Sequence, residues 1–404
     1  MITDYLKLAV QNLFKRRLRS WLTMVGIFIG VSLLVALVSL GQGLQKSISD
    51  EFEKLGADKL FIQAKGGFGD PSSNLGTVKL TDSDVKAVMT ANGVIDAVGI
   101  KFKIGEIRVG SQRRYAYVTG WPRDSEVFEE MMSSYDIEEG RRFRAGDTYK
   151  TILGHLYLDG DIFKPNLKLR DKVDINGKEF RVVGFLSEVG NSGDDTNIYI
   201  PEEMFDEVYP NNKDEVGYII VKADQSLDPE VVAENIERTL RKHRGLEEGK
   251  EDFTVQTSED LMSSFNTILN IVQVFLIAIA GISLLVGGIG ITNTMYTAVL
   301  ERTKEIGIMK AIGARNSDIL TLFLIESGLL GLAGGSIGIL IGIGVSKLVE
   351  FGIHQTGNTL LKAYFPWYLI LGALAFSYVI GTLSGITPAI QASRQKPVDS
   401  LRYE

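Results

Sequence analysis

The sequence contains no cysteine among its 404 residues. That excludes a disulfide framework, a thiolate zinc site, an iron–sulfur cluster and a cysteine nucleophile. Histidine is scarce: His155, His243 and His354 lie far apart, and none stands in an H-E-x-x-H string, so metal-assisted hydrolysis has no candidate ligand set. Excess positive charge is missing too. A formal net charge of -7 argues against nucleic acid as a partner, because a dedicated face would carry a basic field to match the phosphates. With 45% hydrophobic and 23% charged residues, the chain is too apolar for intrinsic disorder and long enough for two or three domains.

The most informative absence is local. No Asp, Glu, Lys or Arg lies between Arg19 and Lys46, between Asp260 and Glu301, or between Lys362 and Arg394, and the stretch from Ile319 to Ser346 holds only Glu326. Each run reaches the roughly 20 residues that a helix needs to cross the hydrocarbon of a bilayer. Four transmembrane helices follow, near Trp21–Leu40, Thr267–Gly290, Leu320–Ser346 and Trp367–Ile386, with a polar block from about Gly43 to Phe265 between the first two.

Lysine and arginine in the short flanks set the expected orientation. Lys7, Lys15, Arg16, Arg17 and Arg19 precede the first span, Arg302, Lys304, Lys310 and Arg315 join the second to the third, and Arg394, Lys396 and Arg402 follow the fourth. The positive-inside rule then puts both termini and the second-to-third loop in the cytoplasm and the polar block outside. That block carries 42 acidic against 29 basic residues. The first run is too long for a cleaved signal peptide, and Val38-Ser39-Leu40-Gly41 is a poor cleavage site, so a retained signal anchor is expected.

The first helix is expected to continue as a stalk, because Leu44, Ile48, Phe52 and Leu55 keep a helical stripe and Gly56 is a natural stop. Thr257 and Asp260 open the returning helix, and Leu261, Phe265, Ile268 and Leu269 lead into the second span, so the two stalk segments should pack together. Within the block, strands are expected at Lys59–Ala64, within Val94–Gly120, and at Thr151–Leu158, Lys172–Ile175, Lys178–Leu186, Asn197–Ile200 and Glu251–Gln256. Asn176-Gly177 signals a two-residue hairpin. Helices are expected at Thr81–Ala91, Pro201–Val208 and Pro229–Lys242, and loops at Gly66–Pro71 and Gly190–Gly193. Mixed strands and segregated helices imply an α+β domain, in two lobes.

Glu301-Arg302-Thr303-Lys304-Glu305-Ile306-Gly307-Ile308-Met309-Lys310-Ala311-Ile312-Gly313-Ala314 directly follows the second span. Charged positions 301, 304 and 305 beside an apolar set of Ile306, Met309 and Ile312 suit a short helix lying along the membrane with a polar end for a partner. This loop, Thr23-Met24-Val25-Gly26-Ile27 with Gly30-Val31, Phe323-Leu324-Ile325-Glu326, and the terminal Pro388-Ala389-Ile390-Gln391-Ala392 with Pro397-Val398-Asp399-Ser400-Leu401-Arg402 closely resemble the MacB/FtsX-type permeases. Asp174–Gly184 is similar to a MacB-type periplasmic core domain, and the motif order matches over essentially the whole chain.

The resemblance implies a membrane protein of four transmembrane α-helices with a large extracytoplasmic α+β domain inserted between helices 1 and 2. Residues 1–42 would form a cytoplasmic amphipathic helix and the first span, 43–265 the core domain with its helical stalk, and 266–300 the second span. Residues 301–318 would be a cytoplasmic coupling loop, 319–348 the third span, 349–366 a short outer loop, 367–387 the fourth span and 388–404 a cytoplasmic tail. The role implied is that of a noncatalytic permease subunit of a mechanotransmitting ABC transporter. Glu301, Arg302, Thr303, Lys304, Glu305, Ile306, Gly307, Met309, Lys310, Ala311 and Gly313 would seat in a groove of a cytoplasmic ABC ATPase, which holds the ATP and Mg. No cofactor is expected in this chain: it has no G-x-x-x-x-G-K-[ST], and Gly245–Glu251 has the wrong spacing and lacks the hydroxyl. Efflux of peptides or amphiphilic drugs, or extraction of lipoproteins or lipids, is the implied job, with an extracytoplasmic adaptor or substrate-delivering protein as a further partner. The alternative is a transmembrane signalling device that activates an extracellular cell-wall hydrolase without transport.

Other features are weighed against simpler roles. Gly26 and Gly30, Gly331 and Gly335, Gly334 and Gly338, and Gly381 and Gly385 stand at helix-packing spacing. The family resemblance implies a homodimer with the first two spans at its interface, which makes Gly26 and Gly30 dimer candidates, with packing inside one chain as the alternative. Glu326 is the one acid inside a span, and with no acid or base legible at similar depth, a structural hydrogen bond or a contact near the coupling loop is favoured over proton transfer. Gly334-Gly335-Ser336-Ile337-Gly338 matches a hydrolase elbow in spelling but lies in a span, without the strand–turn–helix context. Arg141, Arg142 and Arg144, and Arg113-Arg114, are basic spots expected to be solvated.

Overall fold

A computed structural model describes residues 17–65, 78–133, 135–160, 162–355 and 361–396. The amphipathic N-terminus, the Gly66–Pro71 loop and the motif after Lys396 lie outside the described residues. In chain order the elements are α1 (Arg17–Leu55), β1 (Lys59–Ala64), β2 (Leu80–Thr81), α2 (Asp82–Val88), β3 (Val94–Ile100), β4 (Phe102–Val109), β5 (Gln112–Trp121) and α3 (Glu126–Ser133). There follow β6 (Ile137–Gly140), β7 (Lys150–Leu153), α4 (Leu156–Asp159), β8 (Lys172–Ile175), β9 (Lys178–Leu186), α5 (Ser192–Asp195), β10 (Ile198–Pro201) and α6 (Glu202–Val208). The chain continues through β11 (Glu215–Val216), β12 (Tyr218–Ala223), α7 (Pro229–Arg244), β13 (Phe253–Thr257), α8 (Ser258–Glu301), α9 (Thr303–Ala311), α10 (Asn316–His354) and α11 (Trp367–Ser393). It divides into two compact units, residues 46–266 with 353–360, and the remainder.

The first unit is α+β with two lobes. One lobe is an antiparallel sheet in the order β13-β1-β12-β3, covered by α2 and α7. Leu60, Ile62, Val221, Val232, Ile236 and Leu240 close its core. The other is a mixed sheet, β6-β9-β7-β10-β5-β4-β8, whose β8 also pairs with β9, so that six strands form a closed cycle around Val118, Phe163, Phe180, Phe185 and Ile198. A third cluster joins the lobes, with Trp121 edge-on to Phe128, Phe143 and Tyr199. Local chemistry fixes the corners. Thr81 and Asp84 form the capping box of α2, and Thr257 and Asp260 repeat the device at the start of α8, with bonds of 2.8–3.0 Å. Asn176 and Gly177 turn from β8 to β9 at φ 50° and 85°, the double left-handed step of a tight hairpin. The two stalk segments meet, with the Phe52 and Phe265 rings 6.0 Å apart.

Lys101, the single residue between β3 and β4, passes from one lobe to the other. Its side chain is 2% exposed, and its ammonium lies 3.3 Å from Asp82 on α2 and 3.4 and 3.1 Å from Glu202 and Asp206 on α6, while donating to the Lys213 carbonyl at 2.9 Å. Burial alone pulls a lysine down, but these acids hold Lys101 above the ordinary lysine range.

The second unit packs the long helices. Four helices, parts of α1, α8, α10 and α11, are long and apolar enough to cross a membrane. Small residues set their crossings. A Cβ on Gly331 of α10 would lie 2.3 Å from the Ser377 carbonyl of α11, so glycine is what lets these backbones touch. Gly338 and Gly342 likewise bring α10 against Phe28 and Ser32 of α1. Pro388 stands inside α11 and lacks the N–H that would bond the Ser384 carbonyl. That carbonyl instead accepts from Thr292 Oγ1 of α8 at 2.7 Å.

One expectation is corrected here. The strand expected over Thr151–Leu158 ends at Leu153 and a short helix follows, the chain turning where Gly154 N–H donates to the Asn197 carbonyl. Gly26 and Gly30, dimer candidates with packing inside one chain as the alternative, approach the second span of their own chain: a Cβ on Gly26 would lie 2.6 Å from Gly287 Cα, and one on Gly30 2.6 Å from Leu284.

Candidate functional site

The loop between α8 and α10 is built as a short helix fixed at both ends. Arg302 follows the last residue of α8 and points inward, its guanidinium 13% exposed. Nη1 donates to Glu326 Oε2 of α10 at 3.0 Å, Nε donates to Glu305 at 2.9 Å, and the guanidinium carbon sits 5.4 Å from the centre of the Phe323 ring. Buried charges persist only when paired in good geometry, and the planar guanidinium supplies it. The sequence reading gave Glu326 no basic partner. Arg302 is that partner, hidden because it lies outside the apolar run, between α8 and α9, 24 positions before Glu326 in sequence. Glu326 therefore meets the first residue of the α8–α10 connection.

At the far end of α9, Lys310 Nζ donates to the carbonyls of Ser393 and Gln395 at 2.6 and 2.7 Å. A lysine there answers the unpaired carbonyls and negative dipole end of α11. Burial pulls Lys310 below the ordinary lysine range. Between these anchors Ile306 is fully buried in the cluster of Ile319, Phe323, Ala389 and Ala392, with Met309 and Ala314 packed against it. Gly307 is buried beside Ile306, and Thr303 returns its hydroxyl to the Val299 and Leu300 carbonyls at 3.1 and 2.9 Å.

The opposite side of α9 is open. Glu301, Lys304, Glu305, Ala311 and Gly313 are exposed, and Gly313 ends the turn at φ 106°. Ile308 is 48% exposed and Ile312 81%, so Ile312 does not join Ile306 and Met309 on the packed face. The helix ends at Ala311, and the turn that follows carries Ile312 outward. The expectation for Ile312 is therefore corrected, and Ile308 is a surface residue that it missed. For Ile308 the signal was present: it stands four residues after Lys304, on the same stripe of the helix.

Elsewhere the outer domain's basic spots are largely paired. Arg141 holds Asp147 with two bonds of 2.6 and 3.1 Å, Arg142 reaches Glu129 at 3.3 Å and two backbone carbonyls, and Arg113 lies 3.6 Å from Glu106. Ser336 of the elbow-like string sits within α10 and donates to the Leu332 carbonyl at 2.9 Å. Among the described residues, no group of three or more His, Asp or Glu side chains is arranged to hold a metal ion.

Comparison with known proteins gives two matches along the chain. Residues 20–239 match the MacB-like periplasmic core domain, and residues 277–397 match the FtsX-like permease C-terminal domain. The chain is 37% identical to an uncharacterized ABC transporter permease of Methanocaldococcus jannaschii, over all of this chain and 98% of that one. It is 27% identical to YknZ, an uncharacterized ABC transporter permease of Bacillus subtilis, over the full length of both. Against the macrolide export ATP-binding/permease protein MacB of Bdellovibrio bacteriovorus the identity is 31%, over 99% of this chain and 62% of that protein. Among solved structures, the periplasmic region of MacB from Actinobacillus actinomycetemcomitans aligns with TM-score 0.42 and 20% identity, over 54% of this chain and 97% of that one.

Proposed function

Because the chain belongs to the MacB/FtsX-type family of ABC transporter permeases, and is with them a multi-pass membrane protein with an extracellular domain between its first two spans, we propose that it couples ATP hydrolysis by a separate cytoplasmic ATPase to motion of that domain. The observation that carries the reading is α9: one face is locked to the spans through Arg302, Ile306 and Lys310, while the other presents Lys304, Ile308 and Ile312 outward. A helix held rigidly from behind and exposed in front transmits a push instead of absorbing it. The ATPase supplies the ATP and Mg sites, and this chain is noncatalytic. Both termini and the α9 loop face the cytoplasm, as their lysines and arginines favour.

In this scheme α1 and α8, each continuous beyond its apolar run, carry the motion outward, and the substrate is handled outside the membrane. A relative of this chain is named for macrolide export, which supports efflux of amphiphilic drugs or peptides, with lipoprotein or lipid extraction as the variant. An extracytoplasmic adaptor and a second copy of the chain complete the assembly.

The test is affinity capture of the full chain from mild detergent, with mass spectrometry and an ATPase assay of what is recovered. A small ATP-binding subunit is expected with the native chain and not with a Lys304→Glu/Ile312→Glu variant. Equal recovery with both, or no ATPase with either, overturns the assignment.

A further inference from the structure

The anchors of α9 differ in kind. Ile306 and Lys310 attach it by apolar packing and by hydrogen bonds to the carbonyls at the end of α11. The Arg302–Glu326 contact is ionic, buried on both sides at 13% and 10% side-chain exposure, and made by a guanidinium whose donors have a fixed planar arrangement. It also ties residues of two different elements, one at the root of α9 and one inside α10. Three contacts hold the same guanidinium: the Glu326 carboxylate, the Glu305 carboxylate and the face of Phe323. Glu326 and Phe323 are one helical turn apart on α10, so Arg302 grips the third span at two successive positions.

A buried ion pair is weak evidence for stability, since a well-packed apolar pair of similar volume often does as well. What it supplies instead is one defined register between two elements. We propose that Glu326 is a positioning residue that locks α9 to the third span through Arg302, so that a push on α9 moves α10 with it. This rests on the reading that α9 receives an ATPase. In this role Glu326 holds a geometry and carries no proton.

The separation of register from stability provides the test. The full chain is co-expressed with its ATPase, and because the native sequence has no cysteine, Leu348→Cys on α10, where the leucine is 70% exposed, gives a single labelling site. Its reaction rate with a membrane-impermeant maleimide is compared with and without ATP. In the otherwise native chain the two rates should differ about tenfold, the size of a typical coupling between sites.

The Arg302→Met/Glu326→Leu pair replaces the ion pair by apolar packing and, because the Arg302 side chain is turned to Glu326 and away from the exposed Lys304 and Ile308, should fold, retain the ATPase and lose the ATP-dependent difference. Glu326→Ala alone, which leaves Arg302 without this buried carboxylate, should lose it too and be less stable than the double variant. A double variant that keeps the tenfold difference overturns the lock and reduces the pair to a structural contact. Failure of the native chain to bind an ATPase overturns the functional reading itself, and the lock with it.

Discussion

Gly26 and Gly287 face each other so closely that a methyl group on either would collide with the other: a Cβ on Gly26 would stand 2.6 Å from Gly287 Cα, and one on Gly287 2.8 Å from the Gly26 carbonyl carbon. Spans α1 and α8 therefore cross with backbone against backbone. Gly26→Leu should force them apart, at a cost of about 1–3 kcal/mol or more for overpacking. The readout is the thermal midpoint of the full chain in mild detergent; an unchanged midpoint would show that the crossing is looser than these distances.

Lys310 should matter through its two carbonyl partners and not through its charge alone. Lys310→Met leaves the Ser393 and Gln395 carbonyls without this donor, and about 1–3 kcal/mol is expected for the unmet bonds. Hydrogen exchange at the C-terminal turn of α11 should rise in Lys310→Met. The idea fails if protection there is the same as in the native chain.

Lys101 joins the two lobes of the outer domain. Lys101→Met strips Asp82, Glu202 and Asp206 of a shared cation, and a loss of about 3 kcal/mol is expected, the lower part of the range for a broken buried pair because the acids keep some solvent. Limited proteolysis should then cut near the β3–β4 junction earlier than in the native protein. Identical digestion kinetics would remove the latch role.

Acid should loosen the same domain through Glu215. Burial pushes this carboxyl up, but Lys103 and Lys79 at 2.8 Å and the Asn212 amide more than reverse it and hold the group at about 2. A depressed carboxyl contributes stability above its unfolded pKa, about 4.3, and that contribution disappears as pH falls through the folded value. At most about 3 kcal/mol is therefore lost between pH 5 and 2. Glu215→Gln should flatten that part of the stability curve; a variant with the same acid slope as the native chain would contradict it.

The spans were legible because lipid imposes a long run without charge, and such a run needs no partner to be recognised. Local turns were legible for a similar reason: Thr81 with Asp84, and Asn176 with Gly177, carry their geometry in adjacent residues. What stayed hidden depends on residues distant in sequence. Tyr218–Ala223 was not singled out, although it is an inner strand, pairing with both β1 and β3, and neither was the helix Glu126–Ser133. In the candidate site the exposed residues of α9 were largely visible, since charge marks them. The pairing of Arg302 with Glu326 was not, because it joins a loop residue to a helix two dozen positions later, and no periodicity records such a contact.

Pro388 gives the fourth span a property that its amino-acid composition does not reveal. By withholding a donor from the Ser384 carbonyl, it leaves an acceptor that Thr292 fills from α8. The helix is thus incomplete by itself and finished by its neighbour. Pro388→Ala would let α11 satisfy its own backbone, and the Ser384 carbonyl would then share its two lone pairs between that N–H and the Thr292 hydroxyl, which also has the Gly288 carbonyl of its own helix at 3.1 Å, so the change that perfects the helix would weaken the pair. In this bundle, the residue usually regarded as a helix breaker acts as the fastening.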